Sequence, residues 1–104
     1  MLYDPRWEVE TAVPMILEPW RKCLLKAAKI LEERGWCQGT MSKDGMYCAV
    51  GAIADATEYE NPIMNEVIGR LKAHIGTGSL PKWNDCKTQT AENVVRKMRD
   101  CAGV

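Results

Sequence analysis

The chain has 104 residues, a formal net charge of zero, and ordinary fractions of apolar (46%) and charged (27%) residues. This length suffices for one domain with its own core, and the composition excludes a chain that is disordered throughout. Zero net charge argues against nucleic acid as a partner, because binding to phosphates requires a basic face. A chain without net charge is compatible with self-association.

We interpret the chain as a single helical domain, in which residues 1–13 form an N-terminal arm and residues 14–104 form a bundle. In the arm, Trp7, Val9 and Thr11 alternate with acidic residues, a pattern compatible with a short edge strand. The first residues lack the basic and apolar segments of a signal peptide, and no apolar run could span a membrane. We therefore expect a cytoplasmic protein whose five cysteines are reduced.

The first clear helical pattern spans residues 19–34. Pro19 suits the first helical position and Gly35 suits the end. Apolar side chains recur with the helical period, and basic side chains fall on the opposite face, which we interpret as solvated. The apolar face comprises Trp20, Cys23, Leu24, Ala27, Ile30 and Leu31.

Residues 35–46 contain three glycines and short polar residues, and we predict a loop there. Residues 46–57 then predict a second helix. It is built from small residues and is apolar on nearly every side, which places it at the centre of the domain. Gly51 lowers helix propensity by about 1 kcal/mol relative to alanine. A close approach of another backbone would explain a glycine at this position.

Two further amphipathic helices are predicted, over residues 62–75 and 91–102. Pro62 suits the first turn of one, and Thr90 suits the cap of the other. Residues 76–89 between them are predicted to be a long loop. The predicted fold is therefore all-α, a compact bundle of about four helices around the central small-residue helix.

Three short motifs occur along this pattern: Gly35-Trp36 followed by Gln38-Gly39, then Cys48-Ala49-Val50-Gly51-Ala52, then Trp83-Asn84-Asp85. Their order resembles a family of small bacterial and phage proteins known only as a domain of unknown function. The resemblance covers roughly residues 19–102. It implies the helical fold and carries no function.

The sharpest chemical hypothesis is a cysteine nucleophile. Cys48 lies in the first turn of a predicted helix, where the positive end of the helix dipole favours a thiolate. His74 is the sole histidine and would act as the base, oriented by Asn84 or Asp85. However, the apolar sequence around Cys48 is typical of a buried thiol that behaves as a small hydrophobe. A cysteine-dependent hydrolase or transferase is therefore the alternative hypothesis.

The favoured hypothesis is a small non-enzymatic interaction module that binds another protein or forms a homodimer. It would act as an accessory or inhibitor protein of bacterial or phage origin. The candidate binding residues are Trp7, Trp36, Trp83, Asn84 and Asp85, because interfaces favour aromatic anchors. Core packing of the tryptophans and local Asx-turns are the competing interpretations. No metal or cofactor is predicted, since the cysteine spacing and the single histidine fit no zinc site.

Overall fold

The computed structural model describes residues 17–103, so the predicted arm, its strand and Trp7 lie outside the described residues. The described part is mostly helical with one small antiparallel sheet. Its elements are α1 (Pro19–Arg34), β1 (Ser42–Lys43), β2 (Met46–Tyr47), α2 (Ala49–Ala56), α3 (Asn61–Ile75), α4 (Leu80–Asn84) and α5 (Ala91–Ala102). None of the helices in this range is long and apolar enough to cross a membrane.

Helix α1 is the element against which the other long helices pack. It contacts α5 most widely, then α2, then α3. Its buried side chains are Trp20, Leu24, Ala27, Ala28, Ile30 and Leu31. The predicted amphipathic pattern of this helix is thereby confirmed. Each large aliphatic side chain that is fully removed from water contributes roughly 1.5–3 kcal/mol to folding.

Helix α2 is short and is buried on most sides. Its buried residues are Ala49, Gly51, Ala52, Ile53, Ala54 and Ala56. A Cβ atom added at Gly51 would overlap the carbonyl oxygen of Met41, so the predicted close approach of another backbone is confirmed. The same carbonyl accepts a hydrogen bond from the N–H of Cys48 at 3.0 Å. Met41 therefore ties the preceding loop to the start of α2.

Strands β1 and β2 form a hairpin in a region that we predicted to be a loop and then a helix. The turn residues Asp44 and Gly45 both have positive φ, as a two-residue type I′ turn requires. Tyr47 also forms a parallel bridge with Trp36. The predicted start of the second helix at residue 46 is therefore wrong. It begins at Ala49, because strand pairing already uses the backbone groups of Tyr47.

The predicted long loop over residues 76–89 contains the short helix α4, which is a second correction. Ser79 caps this helix by accepting a hydrogen bond from the N–H of Lys82 at 3.3 Å. Trp83 and Asn84 therefore lie on a helix rather than in a loop. A helix of five residues shows less than two turns of periodicity, which explains why the pattern alone did not reveal it.

Helices α3 and α5 agree with the predicted ranges to within one residue at either end. The side chain of Thr90 accepts a hydrogen bond from the N–H of Asn93 at 3.1 Å, so the predicted cap of α5 is confirmed. Gly76 and Gly103 end the two helices in the left-handed conformation that glycine adopts readily.

Candidate functional site

The side chain of Asn84 is fully buried at the end of α4 and connects several segments of the chain. Its Oδ1 atom accepts hydrogen bonds from Trp36 Nε1 at 2.7 Å and from the N–H of Ala49 at 2.9 Å. Its Nδ2 atom donates to the carbonyl of Cys37 at 3.1 Å and to the carboxylate of Asp85 at 3.0 Å. We call this arrangement the Asn84 hub. All the hydrogen-bonding positions of the amide are used within the protein.

The loop after α1 is also attached to the end of α4 outside this hub. Gln38 Nε2 donates to the carbonyls of Asn84 and Cys86, each at 3.0 Å. The N–H of Gly39 donates to the carboxylate of Asp85 at 3.0 Å. This hydrogen bond, with the one from Asn84, holds the pKa of the Asp85 carboxyl below its ordinary value. The loop is therefore fixed in place by several independent polar contacts.

Cys48 is buried at the N-cap of α2, one residue before the helix begins. Its Sγ atom accepts a hydrogen bond from the N–H of Gly51 at 3.3 Å. Together with Asn84 and Asp85, Cys48 lines a cavity of about 220 Å³. His74 is exposed in the last turn of α3; within the described residues it makes no hydrogen bond with these side chains. The structure thus brings together three residues of the cysteine hypothesis and leaves out the base.

The remaining cysteines have different environments. Burial raises the pKa of the Cys23, Cys37 and Cys101 thiols. Cys86 is exposed, and hydrogen bonds from the hydroxyl and backbone of Thr88 lower its pKa. Nothing in the sequence pattern indicated that Cys86 is distinct, because the lowering of its pKa depends on the conformation of a short loop. Among residues 17–103, no three histidine, cysteine or acidic side chains converge as metal ligands would.

The other predicted binding residues are exposed to different degrees. Trp36 and Trp83 are half-buried and pack against the hydrophobic core, and Asp85 is exposed. Asn84 has no polar atom available for a ligand, because its hydrogen bonds are internal. Of the predicted residues that the structure describes, Trp36 therefore combines a partly exposed aromatic ring with a fixed orientation.

Trp36 lines an open groove of about 860 Å³ between α1 and α5, which the sequence analysis did not identify. The uncharged lining consists of Leu31, Gly35, Trp36, Ala91 and Val95. Charged side chains surround it, namely Glu32, Glu92, Arg96, Arg99 and Asp100. Glu32 and Arg99 form a two-point ion pair that joins α1 to α5, with Arg99 Nη1 at 2.9 Å from Glu32 Oε2. We call this surface the Trp36 groove.

These features define a small, mostly helical domain in which one buried asparagine fixes a tryptophan-bearing loop beside an open groove. The chain belongs to a family of unknown function (DUF6197), whose sequence profile matches residues 15–104. The family membership that the motifs indicated is thereby confirmed. No curated protein and no solved structure matches the chain. A function must therefore be argued from the surface itself.

Proposed function

We propose that the protein is a non-enzymatic interaction module and that the Trp36 groove binds a segment of a partner protein. The observation that supports this proposal is a half-buried tryptophan in the groove whose ring nitrogen is hydrogen-bonded to a buried asparagine at 2.7 Å. Tryptophan is enriched among the residues that dominate binding energy at interfaces. A ring that is already held in one orientation loses little conformational freedom when a partner binds.

The charges around the groove favour a partner segment with basic residues beside an apolar anchor. The lining has three carboxylates against two guanidinium groups. Glu32 is already paired with Arg99, whereas Glu92 and Asp100 make no ion pair within the described residues. A lysine or arginine of the partner beside these two carboxylates would orient the segment and speed its association. The apolar anchor would contact the ring of Trp36.

The cysteine hydrolase or transferase is the second candidate function. The observation that favours it is the cavity that Cys48 shares with Asn84 and Asp85. It is the weaker candidate because, among the described residues, no histidine is hydrogen-bonded to Cys48 to act as its base. The Cys48 sulfur instead accepts a hydrogen bond from the N–H of Gly51, the usual role of an N-cap side chain.

Selection of peptides displayed on phage against the immobilised protein tests the proposed function. We expect the selected peptides to share one aromatic or large aliphatic residue flanked by lysine or arginine. The double variant Glu92→Lys/Asp100→Lys should weaken their binding at least about tenfold, since each lost contact between opposite charges is replaced by repulsion.

The control is Glu33→Lys, which reverses one charge on α1 outside the lining of the groove, half the change of charge made by the double variant. This variant should bind the selected peptides like the original protein, and circular dichroism should show that every variant is folded. Equal weakening by Glu33→Lys, or selected peptides without the expected chemistry, would contradict the proposal. A concentration-dependent dimer that the double variant abolishes would identify a second copy as the partner.

A further inference from the structure

Cys37 and Cys48 are neighbours across the parallel bridge between the loop after α1 and strand β2. The bridge pairs Trp36 with Tyr47, and each cysteine is the next residue after one member of that pair. Two hydrogen bonds of 3.0 Å close the bridge, from Tyr47 N–H to the carbonyl of Gly35 and from Cys37 N–H to the carbonyl of Tyr47. Neighbouring strands lie about 4.8 Å apart. This spacing falls within the roughly 4.4–6.8 Å between Cα atoms that a disulfide can join.

The backbone of Cys48 is extended, and the N–H of Cys37 forms part of the bridge, which favours a position of both cysteines on one side of it. Cys48 has φ −83° and ψ 178°, so it has strand geometry although α2 begins at the next residue. Successive side chains of a strand point to opposite faces. The two residues that follow the bridged pair therefore share the face opposite to that of Trp36 and Tyr47. Both cysteines are buried, with exposed fractions of 8% and 6%, and both are free thiols.

The Asn84 hub keeps the two cysteine segments at this separation. Its Nδ2 atom donates to the carbonyl of Cys37, and its Oδ1 atom accepts from Ala49, the residue after Cys48. The proximity of the two residues also affects the titration of Cys37, because the neighbouring Cys48 adds to the effect of burial in raising the pKa of the Cys37 thiol. A single buried side chain thus holds both backbones. To join, the Cys37 thiol must leave its hydrogen bond to the carbonyl of Thr40, and the Cys48 sulfur must leave its hydrogen bond from the N–H of Gly51.

We propose that Cys37 and Cys48 form a reversible disulfide when the protein meets a peroxide. Cys48 lines the cavity of about 220 Å³, and a small oxidant that enters this cavity would meet Cys48 rather than Cys37, which does not line it. Cys48 therefore reacts first, and Cys37 is the resolving thiol. This proposal does not depend on the proposed function.

The reaction balances with hydrogen peroxide as the oxidant. The Cys48 thiolate attacks one peroxide oxygen, the O–O bond breaks, and the hydroxide that leaves becomes water with the proton of the thiol. Cys37 sulfur then attacks the sulfenic acid on Cys48, the S–S bond forms, the S–O bond breaks, and a second water leaves. Two thiols lose two electrons, and one peroxide is reduced to two waters. Two molecules of a small thiol such as glutathione restore both cysteines by exchange and leave as glutathione disulfide.

The disulfide would connect the segment that carries Trp36 to the start of α2. It would close a loop of about a dozen residues and thereby restrict the unfolded chain. We expect the midpoint of thermal unfolding to rise by about 10 °C on oxidation of a domain of this size.

Tryptic peptide mapping under non-reducing conditions tests the proposal on the folded protein. Cleavage after Arg34, Lys43 and Arg70 yields one peptide of residues 35–43, which contains Cys37 alone, and one of residues 44–70, which contains Cys48 alone. After treatment with hydrogen peroxide and blocking of the free thiols, we expect these two peptides to be linked. Dithiothreitol should separate them, and the thermal midpoint should return to its original value.

Two variants serve as controls. Cys37→Ala should abolish the linked pair, whereas the triple variant Cys23→Ala/Cys86→Ala/Cys101→Ala should still form it. The proposal is overturned if the peptides of residues 35–43 and 44–70 are recovered separately from the oxidised original protein. It is also overturned if Cys48 is instead linked to Cys86 or to another molecule. The mapping of the original protein decides the matter even if a variant does not fold.

Discussion

Asn84 carries the polar connections that shape the candidate site. Its four hydrogen bonds reach the side chain of Trp36, the backbone of Cys37 and Ala49, and the carboxylate of Asp85. A buried donor or acceptor that loses its partner costs about 1–3 kcal/mol. The residue therefore acts on the Trp36 groove as a positioning residue, by fixing a ring that it does not itself expose.

Asn84→Ala should lower the free energy of unfolding by about 3 kcal/mol, measured by urea unfolding followed by circular dichroism. The cause is the loss of partners for Ala49 N–H and Trp36 Nε1, together with a small cavity. Asn93→Ala is the control, because the Asn93 amide donates one hydrogen bond to Gln89 in a half-buried setting. This variant should lower the free energy of unfolding by about 0.5 kcal/mol. A loss below about 1 kcal/mol for Asn84→Ala would show that the hub is not structural.

Among the helices, α2 and α3 each contain one interior glycine, but the two glycines have different surroundings. A Cβ atom on Gly51 of α2 would overlap the carbonyl of Met41, whereas a Cβ atom on Gly69 of α3 would meet nothing within 4 Å. Only the glycine of α2 is therefore required by packing. Replacement of each glycine with alanine therefore distinguishes two effects. The steric contact is present only at Gly51, whereas the gain in helix propensity is common to both positions.

Gly51→Ala should lower the free energy of unfolding by about 2 kcal/mol or more, because the loop at Met41 must move away from α2. Gly69→Ala should raise it by about 0.5–1 kcal/mol, because alanine favours the helix and restricts the unfolded chain. Thermal and urea unfolding of the two variants provide the comparison. The steric explanation fails if Gly51→Ala is as stable as Gly69→Ala.

The long helices could be predicted from the sequence because their information is local. The bounds of α1 and α5 follow from Pro19, Thr90 and the glycines after each helix, combined with apolar periodicity. The β1–β2 hairpin escaped prediction although Asp44-Gly45 is a common type I′ pair. Ser42 and Lys43 show no apolar alternation, and the hairpin depends on a bridge to a distant segment.

The candidate site could be predicted only in part. The motifs drew attention to Trp36, Cys48 and the Asn84-Asp85 pair, and the structure places these residues close together around one hub. The complete burial of Asn84 was not predictable, because it results from segments far apart in the chain meeting at one point. The Trp36 groove was missed for a similar reason. Charged side chains on an amphipathic helix have the same pattern whether they line a groove or face solvent.

Across residues 17–103, one apolar core is supplemented by a few polar contacts between distant segments. The exposed Arg99–Glu32 ion pair contributes little to stability, about 0.5 kcal/mol. The contact of Asp85 with Gly39 differs, because it lowers the pKa of a carboxyl that belongs to the hub region. This contact makes the stability of the whole domain sensitive to acid.

Asp85→Asn should reduce the loss of stability of the domain between about pH 7 and about pH 3. The pKa of the Asp85 carboxyl in the folded protein lies below its ordinary value of 3.8, so the carboxylate stabilises the folded protein above that pH. The stabilisation is lost as the pH falls through the folded pKa. Urea unfolding at both pH values measures the difference. Asp44→Asn is the control, because it removes an exposed carboxylate from the hairpin turn. If both variants reduce the loss of stability equally, the acid sensitivity does not arise from Asp85.

The packing of α1 against α5 has a consequence for the synthesis of the protein. Helix α1 forms its widest contact with the last helix of the described chain, so a large part of its apolar face has no partner until α5 has been translated. Contacts between distant segments form late, and uncovered apolar surface on a nascent chain is prone to aggregation. We therefore expect the domain to complete its folding only after α5 has emerged from the ribosome, and we expect the emerging α1 to be a binding site for chaperones there.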